Sequence, residues 1–225
     1  MIIISQLIMW FPSVIISWIA LIFLRRDWFL LLNKLLKLYN IHRFESHNRP
    51  PWLVQALLIS AEDHRFFTHA GIDFVAVCRA LYRSIILRRR EGASTIEMQL
   101  VRVLTGHYER TLSRKLREAG LATLLTRAVP KSDLPALYIH VAYFGWRMNG
   151  FLAACRRMRL DPSVITLWQA ASLVARLKYP EPQHAPTMRM TQINVRSRHI
   201  CFLYRQHIKC HAYTGLRKRA IYATV

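Results

Sequence analysis

At 225 residues the chain is long enough for one domain with a sizeable core, and too short for a second catalytic domain once its first forty residues are set aside. Its seven glycines form neither a G-x-G-x-x-G nor a G-x-x-x-x-G-K-[ST] loop, which excludes the usual nucleotide-cofactor folds. With 33 Lys and Arg against 12 Asp and Glu, a formal charge of +21, it requires an anionic partner or surface, either nucleic acid or anionic lipid.

The first 24 residues carry no charged side chain, enough at 1.5 Å per residue to cross a bilayer core of about 30 Å. No basic region precedes this stretch and no small-residue cleavage site precedes Arg25, so it reads as a retained anchor rather than a cleaved signal. An anchor favours lipid over nucleic acid as the anionic partner. Residues 25–49, with Trp28, Phe29, Leu30–Leu32 and Lys34 and Lys37, read as a basic amphipathic segment suited to a membrane surface. Pro50 and Pro51 open a helix with apolar residues at helical spacing, closed by Glu62. Phe74, Val77, Leu81 and Ile85, interleaved with Arg79, Arg83, Arg88, Arg89 and Arg90, predict a basic amphipathic helix over 74–90.

Ser94 with Glu97 three residues on is a capping-box signature for the next helix. Further helices are expected over 112–125, 134–143 and 167–177, with Ser132 and Thr166 as N-caps. No strand alternation of useful length occurs, so the fold class is all-α. The tail from Arg196 is basic, and Arg217-Lys218-Arg219 reads as a solvated or lipid-contacting end. Cys78, Cys155, Cys201 and Cys210 have no metal-ligand spacing, so no metal site is expected from them.

Candidate chemistry concentrates in a few places. Glu62 and Asp63 form a carboxylate pair at a helix end, with Asp63 a candidate hydrogen-bonding neighbour. Beside Ile59, Phe66 and Phe67, desolvation would favour the protonated form of Glu62, which suits a general acid or base near neutral pH. Arg110, Arg114 and Glu118, spaced by four, fall on one helical face that continues into Leu121 and Leu125, which turns the charged end toward a cleft. Guanidinium and ammonium groups around one carboxylate suit a phosphate-bearing substrate.

In order along the chain, Glu62-Asp63-His64-Arg65-Phe66-Phe67-Thr68-His69-Ala70-Gly71, then Gly92-Ala93-Ser94-Thr95-Ile96-Glu97-Met98-Gln99, then 110–118 and 131–145, resemble the peptidoglycan glycosyltransferases. The resemblance covers most of residues 50–200. It implies a lysozyme-like helical domain over 50–209 behind an N-terminal transmembrane helix, a basic tail over 210–225, and polymerisation of lipid II into glycan strands with inversion. On the matching positions it makes Glu62 the general base and Glu118 the support of the pyrophosphate leaving group. It carries the substrate contacts onto Asp63, Phe67, Ser94, Thr95, Gln99, Arg102, Arg110, Arg114 and Lys115. No cofactor is required, with a divalent cation, Mg or Mn, sometimes present near Glu118. The implied partners are lipid II, the growing strand, membrane lipids and other cell-wall synthesis proteins, not nucleic acid. The implied place is the bacterial inner membrane with the domain on the periplasmic side, although Arg25, Arg26, Lys34 and Lys37 after the anchor would by the positive-inside rule hold it in the cytoplasm. The chain has no S-x-x-K or K-T-G sequence of a transpeptidase and resembles the monofunctional form.

Met98 stands where the family has the first of two glutamines, Val103 where an asparagine is common, His140 at the end of a Tyr-Leu-Asn, and Gln169 where a glutamate is usual. Two other readings stay open on the residues alone. One is a membrane or glycan-binding scaffold of the same fold with weakened catalysis, and the other is a glycan-cleaving hydrolase, which also uses two carboxylates.

Overall fold

The computed structural model describes residues 2–44, 49–88 and 92–216, with side-chain surroundings for 11–38, 49–88 and 92–216. Among the described residues it is all-helical, with ten α-helices and no β-strand beyond two isolated bridges, Tyr143 with Asn149 and Gly145 with Glu181. The helices are α1 (Ile2–Phe23), α2 (Arg25–Phe44), α3 (Trp52–Glu62), α4 (Phe74–Ile85), α5 (Ile96–Thr105), α6 (Leu112–Ala128), α7 (Leu134–Val141), α8 (Phe151–Met158), α9 (Leu167–Lys178) and α10 (Thr187–Lys209).

The core sits where α3, α5, α6, α7 and α9 meet. Val54, Leu57, Leu58, Ile59, Leu100, Leu121, Leu125, Leu137 and Leu173 are fully enclosed there. α3 lies against α9 and α10, and α5 against α6 and α7. Pro51 precedes α3, where its fixed φ suits a helix entrance. The helix stops at Glu62 because Asp63 leaves helical geometry at φ −158°. α5 stops at Gly106, whose φ of 74° is the left-handed conformation that favours glycine at a helix C-terminus.

Several helix boundaries depart from the sequence expectation. The cap of α5 is Thr95 rather than Ser94: its hydroxyl accepts from the Met98 amide at 3.3 Å and donates to the Gly71 carbonyl at 2.8 Å. Glu97 does not complete a capping box, because its carboxylate is drawn into a buried ion pair with Lys131. Thr111 caps α6 by accepting from the Arg114 amide at 3.2 Å, so Arg110 lies before the helix instead of on its face. Ser132 falls inside a 3-10 turn, Lys131–Asp133, that makes no side-chain cap. α4 ends at Ile85, short of the expected Arg90, and Arg89 and Arg90 lie outside the described residues. Thr166 and Gln169 do form the expected capping box at the start of α9.

The N-terminal helices join the domain. Leu31, Leu35 and Leu38 of α2 are buried in the common core, so the inner face of the segment expected to lie on a membrane has protein against it. Phe29, Leu30 and Leu36 on α2 remain exposed. α1 packs along α6, where Gly120 lets Ala20 and Leu24 approach closely. Asp27, near the start of α2, pairs with Arg117 of α6 at 3.3 Å. Among the described residues no helix is long and apolar enough to cross a membrane; the part of α1 with described side chains is 11–23. At the other end, Tyr213 and Leu216 pack into the core, so the expected tail begins inside the folded domain, while Arg217-Lys218-Arg219 lies outside the described residues.

Candidate active site

Glu62 is the last residue of α3, and its carboxylate is met from two sides. Gln99 of α5 donates its amide nitrogen to Oε2 at 3.2 Å, and Arg196 of α10 donates Nη2 to Oε1 at 3.2 Å. The same Nη2 donates to the Ala61 carbonyl at 2.7 Å, which fixes the guanidinium at the C-terminal end of α3. The Tyr138 hydroxyl donates to the Gln99 carbonyl oxygen at 2.6 Å. Burial, with Glu62 adding its charge, pushes the Tyr138 phenol up, so it remains a protonated donor. A donor at the oxygen end of the Gln99 amide leaves the NH2 end for Glu62, so the Tyr138–Gln99–Glu62 chain has one direction.

The apolar surroundings expected around Glu62 lie elsewhere. Ile59 and Phe66 are fully buried in the core, and Phe66 stacks edge-on with Phe67 and carries Lys131 over its ring at 4.7 Å. The groups against the Glu62 carboxylate are an amide and a guanidinium.

Glu118 is 2% exposed on α6 and is also held by arginines. Arg102 binds it through two parallel bonds, Nε to Oε1 at 2.8 Å and Nη2 to Oε2 at 2.9 Å. Arg114, one turn earlier on α6, donates Nη1 to Oε1. The hydrogen bonds it donates to Glu118 are the main reason the Arg102 guanidinium is held above its ordinary range. Two guanidiniums against one carboxylate leave a local surplus of positive charge. Gln99 and Arg102 sit three residues apart on α5 and are therefore neighbours on its surface. One turn of α5 thus touches both glutamates.

The residues around Glu118 do not fit a divalent cation. Both carboxylate oxygens already accept from guanidiniums, and a second hard ligand would have to displace them. Among the described residues the ligand-like cluster is a different one, Asp63, His69 and Glu97, whose donor atoms lie within 4.8 Å of one another. Asp63 faces this cluster and not Glu62: its oxygens lie 3.1 Å from His69 Nε2, and Oδ2 accepts from the Ile96 amide at 3.2 Å. Lys131 supplies the positive charge, with Nζ 3.0 Å from Glu97 Oε1 and a bond to the His69 carbonyl. Burial alone would push the Glu97 carboxyl up; Lys131 and then His69 outweigh it and hold the carboxyl below its ordinary range. This charged knot ties the loop after α3 to the N-terminus of α5 and so sets where Glu62 meets Gln99.

The remaining residues expected at the site divide by exposure. Thr95 is buried as a cap and Ser94 is half-buried beside it. Phe67 packs against Gly215, where a Cβ would collide with its ring. Arg110 and Lys115 are exposed, and neither bonds to the Arg102–Glu118–Arg114 group. Sequence reasoning missed Arg196, Tyr138, His69 and Lys131. Arg196 is 134 residues from Glu62 along the chain, in a stretch read only as basic, and no local pattern signals the contact.

The transglycosylase family matches residues 34–204, from within α2 to within α10, a stretch that contains Glu62, Glu118, Arg102, Arg114 and Arg196. A monofunctional glycosyltransferase from Staphylococcus aureus is 30% identical over 156 residues, covering 66% of this chain and 58% of that protein. Penicillin-binding protein 1F of Bacillus subtilis is 35% identical over 137 residues, 60% of this chain and 19% of that one. Penicillin-binding protein 1A of Rickettsia felis is 33% identical over 155 residues, 65% and 20% respectively. The chain thus spans about a fifth of the penicillin-binding proteins and just over half of the monofunctional relative. With more than half of its length matched, the chain belongs to the transglycosylase family.

Proposed function

We propose that the chain polymerises lipid II into glycan strands, with Glu62 as the general base. The acceptor sugar's 4-hydroxyl gives its proton to Glu62 as its oxygen attacks the anomeric carbon of the donor from the face opposite the pyrophosphate. The new C1–O4 bond forms, the C1–O(phosphate) bond breaks with its electrons going to the pyrophosphate, and the configuration inverts. Arg102 and Arg114 neutralise the departing charge, and Glu118 holds both guanidiniums in place for it. No step passes through a metal ion. The observation that carries this reading is the shared turn of α5: Gln99 holds Glu62 and Arg102 holds Glu118, so proton acceptance and leaving-group stabilisation occur at neighbouring positions of one rigid element.

Membrane attachment through residues 1–24, with the domain on the periplasmic side, belongs to the same proposal. Its support is the uncharged sequence up to Leu24 and the exposed apolar side chains Phe11, Trp18, Ile22 and Phe23 on α1. A prenyl-linked donor requires an enzyme close to the bilayer.

The test is polymerisation of purified lipid II by the full chain. Wild type is expected to make glycan strands, and Glu62→Gln to lose about 10²–10⁴-fold in rate, the usual worth of a general base. Equal strand formation by Glu62→Gln would remove Glu62 from the role. Release of fragments from intact sacculi in place of strands would make the enzyme a hydrolase.

A further inference from the structure

α10 is packed on one side and open on the other. Ile193, Ser197 and Ile200 are its buried positions, and the helices it packs on are α9 and α3. On the solvent side Met188, Val195 and Phe202 are 74%, 61% and 57% exposed. They recur every seven residues, just under two helical turns, and so form one apolar stripe about 21 Å long and nearly parallel to the helix axis. His199 stacks on Phe202 at 6.5 Å between ring centres, which orders the stripe at that end. At the other end Met188 and Val195 line a groove of about 570 Å³ shared with Lys178 at the end of α9. The exposed Arg198 and Arg205 stand three residues beyond Val195 and Phe202 and are therefore their neighbours on the helix surface. α9 and α10 contain no Asp or Glu to pair with these cations.

A straight apolar stripe at heptad spacing is the seam that one helix offers to another, and the unanswered basic rim sets the charge of what it accepts. We propose that the outer face of α10 is a docking surface for an acidic amphipathic α-helix of another protein. Its apolar side chains lie along Met188, Val195 and Phe202, one of them entering the groove, and its carboxylates pair with Arg198 and Arg205. A second copy is a poor occupant, because two α10 faces in isologous contact would set Arg198 and Arg205 against their own counterparts. Residues 217–225 meet the same obstacle, holding Arg217, Lys218 and Arg219 and no acid. A flat anionic bilayer satisfies the charge but leaves the groove unfilled.

The test uses the full chain in phosphatidylcholine nanodiscs and a synthetic three-heptad peptide with leucine at a and d and glutamate at e and g. The comparison peptide keeps every glutamate and has serine for leucine. Binding is read by fluorescence anisotropy of the labelled peptide, and the face itself by hydroxyl-radical labelling of Met188 and Phe202. The variants are Val195→Ser/Phe202→Ser, Arg198→Glu/Arg205→Glu and, as a charge-matched control on α6 and α8, Arg127→Glu/Arg156→Glu; all six side chains are exposed, so each variant should keep the wild-type thermal unfolding. Wild type is expected to bind the leucine peptide about tenfold or more tightly than the serine peptide, and each α10 variant to lose about tenfold or more, the worth of one or two anchor residues. The control variant should bind within about threefold of wild type, and bound peptide should cut labelling of Met188 and Phe202 about fivefold. Binding by both α10 variants within threefold of wild type, or an equal loss in the control, would reduce the effect to net charge and overturn the docking surface. Labelling that falls without peptide would also overturn it: a fall when phosphatidylglycerol is added to the nanodiscs assigns the face to the membrane, and a fall with rising protein concentration assigns it to a second copy.

Discussion

Arg196 reaches Glu62 from α10, on the far side of the carboxylate from Gln99. Its guanidinium orients the carboxylate proposed as the base, and its second bond to the Ala61 carbonyl prevents it from drifting away. Replacing it with a neutral amide leaves Glu62 with one partner and more rotamers. Arg196→Gln should therefore reduce kcat by about 10–100-fold, in the range of one charge-assisted hydrogen bond of roughly 1.5–3 kcal/mol, with KM changed less than threefold. Added guanidinium salt should restore part of the rate to Arg196→Ala. A purely structural arginine would show neither the kcat selectivity nor the rescue. The buried pair of Glu97 and Lys131 predicts a different outcome, on stability. Lys131→Met leaves Glu97 enclosed without a counter-charge and should cost about 3–5 kcal/mol, whereas Lys131→Met with Glu97→Gln should recover much of the loss, because burying neither charge costs less than burying one alone. Urea unfolding of the two variants measures the difference.

α5 is the element on which the site depends, and it shows what local patterns reveal. Its existence and the amide at Gln99 were legible, as were the end of α3 at Glu62 and the Thr166–Gln169 box of α9, because each is written within a few residues. The choice of Thr95 over Ser94 as its cap was not, since Glu97, the second half of the expected box, is claimed by Lys131 from 34 positions further on, and only the fold shows that. Arg110 was placed on the α6 face by spacing, but Thr111 caps the helix one residue later. α10 was not predicted as an element, and its residues from Arg196 were read only as basic, because its contacts with α3 are tertiary. Those contacts include a pair with a pH signature: His207 stacks on His64 at 5.2 Å between ring centres, and its Nδ1 lies 3.2 Å from the Ser60 hydroxyl, which also meets Tyr213. Burial, then Arg65 and Arg79, hold His64 below 6.5, against the opposing pull of Asp63 and Asp73; burial, then His64, lower His207. A histidine held below its unfolded value binds fewer protons when folded, so stability is complete above about pH 6.5 and falls as pH drops below it. Thermal unfolding should show the midpoint falling from pH 7.5 to 5.5, and His207→Gln should flatten that slope. An unchanged slope in His207→Gln would remove the stacked pair as its cause.

For the whole molecule, the question is what holds the domain at its substrate's surface, charge or apolar burial. Of the 33 basic side chains, set against 12 acidic ones, several are engaged within the structure: Arg102 and Arg114 on Glu118, Arg196 on Glu62, Lys131 on Glu97, and Lys34 on the Leu104 carbonyl at 2.8 Å. Lys34 is one of the four charges that opposed a periplasmic domain, and an ammonium engaged at the end of α5 is explained by the fold without reference to topology. Exposed apolar side chains include Phe11, Trp18, Ile22 and Phe23 on α1, Phe29, Leu30 and Leu36 on α2, and Val75, Leu81, Tyr82 and Ile85 on α4. Attraction to anionic headgroups is screened over about 3 Å in 1 M salt, whereas burial of apolar surface is not weakened by salt. If α1 holds the protein, proteoliposomes washed in about 1 M salt should retain nearly all of it, and replacing Trp18 and Ile22 with aspartate should release it into the wash. Loss of the wild-type chain to the salt wash would assign attachment to charge. A reporter fused after residue 225 then tests the proposed side: activity confined to the periplasm is the expected outcome, and a cytoplasmic signal would separate Glu62 from the proposed donor and overturn that part of the proposal.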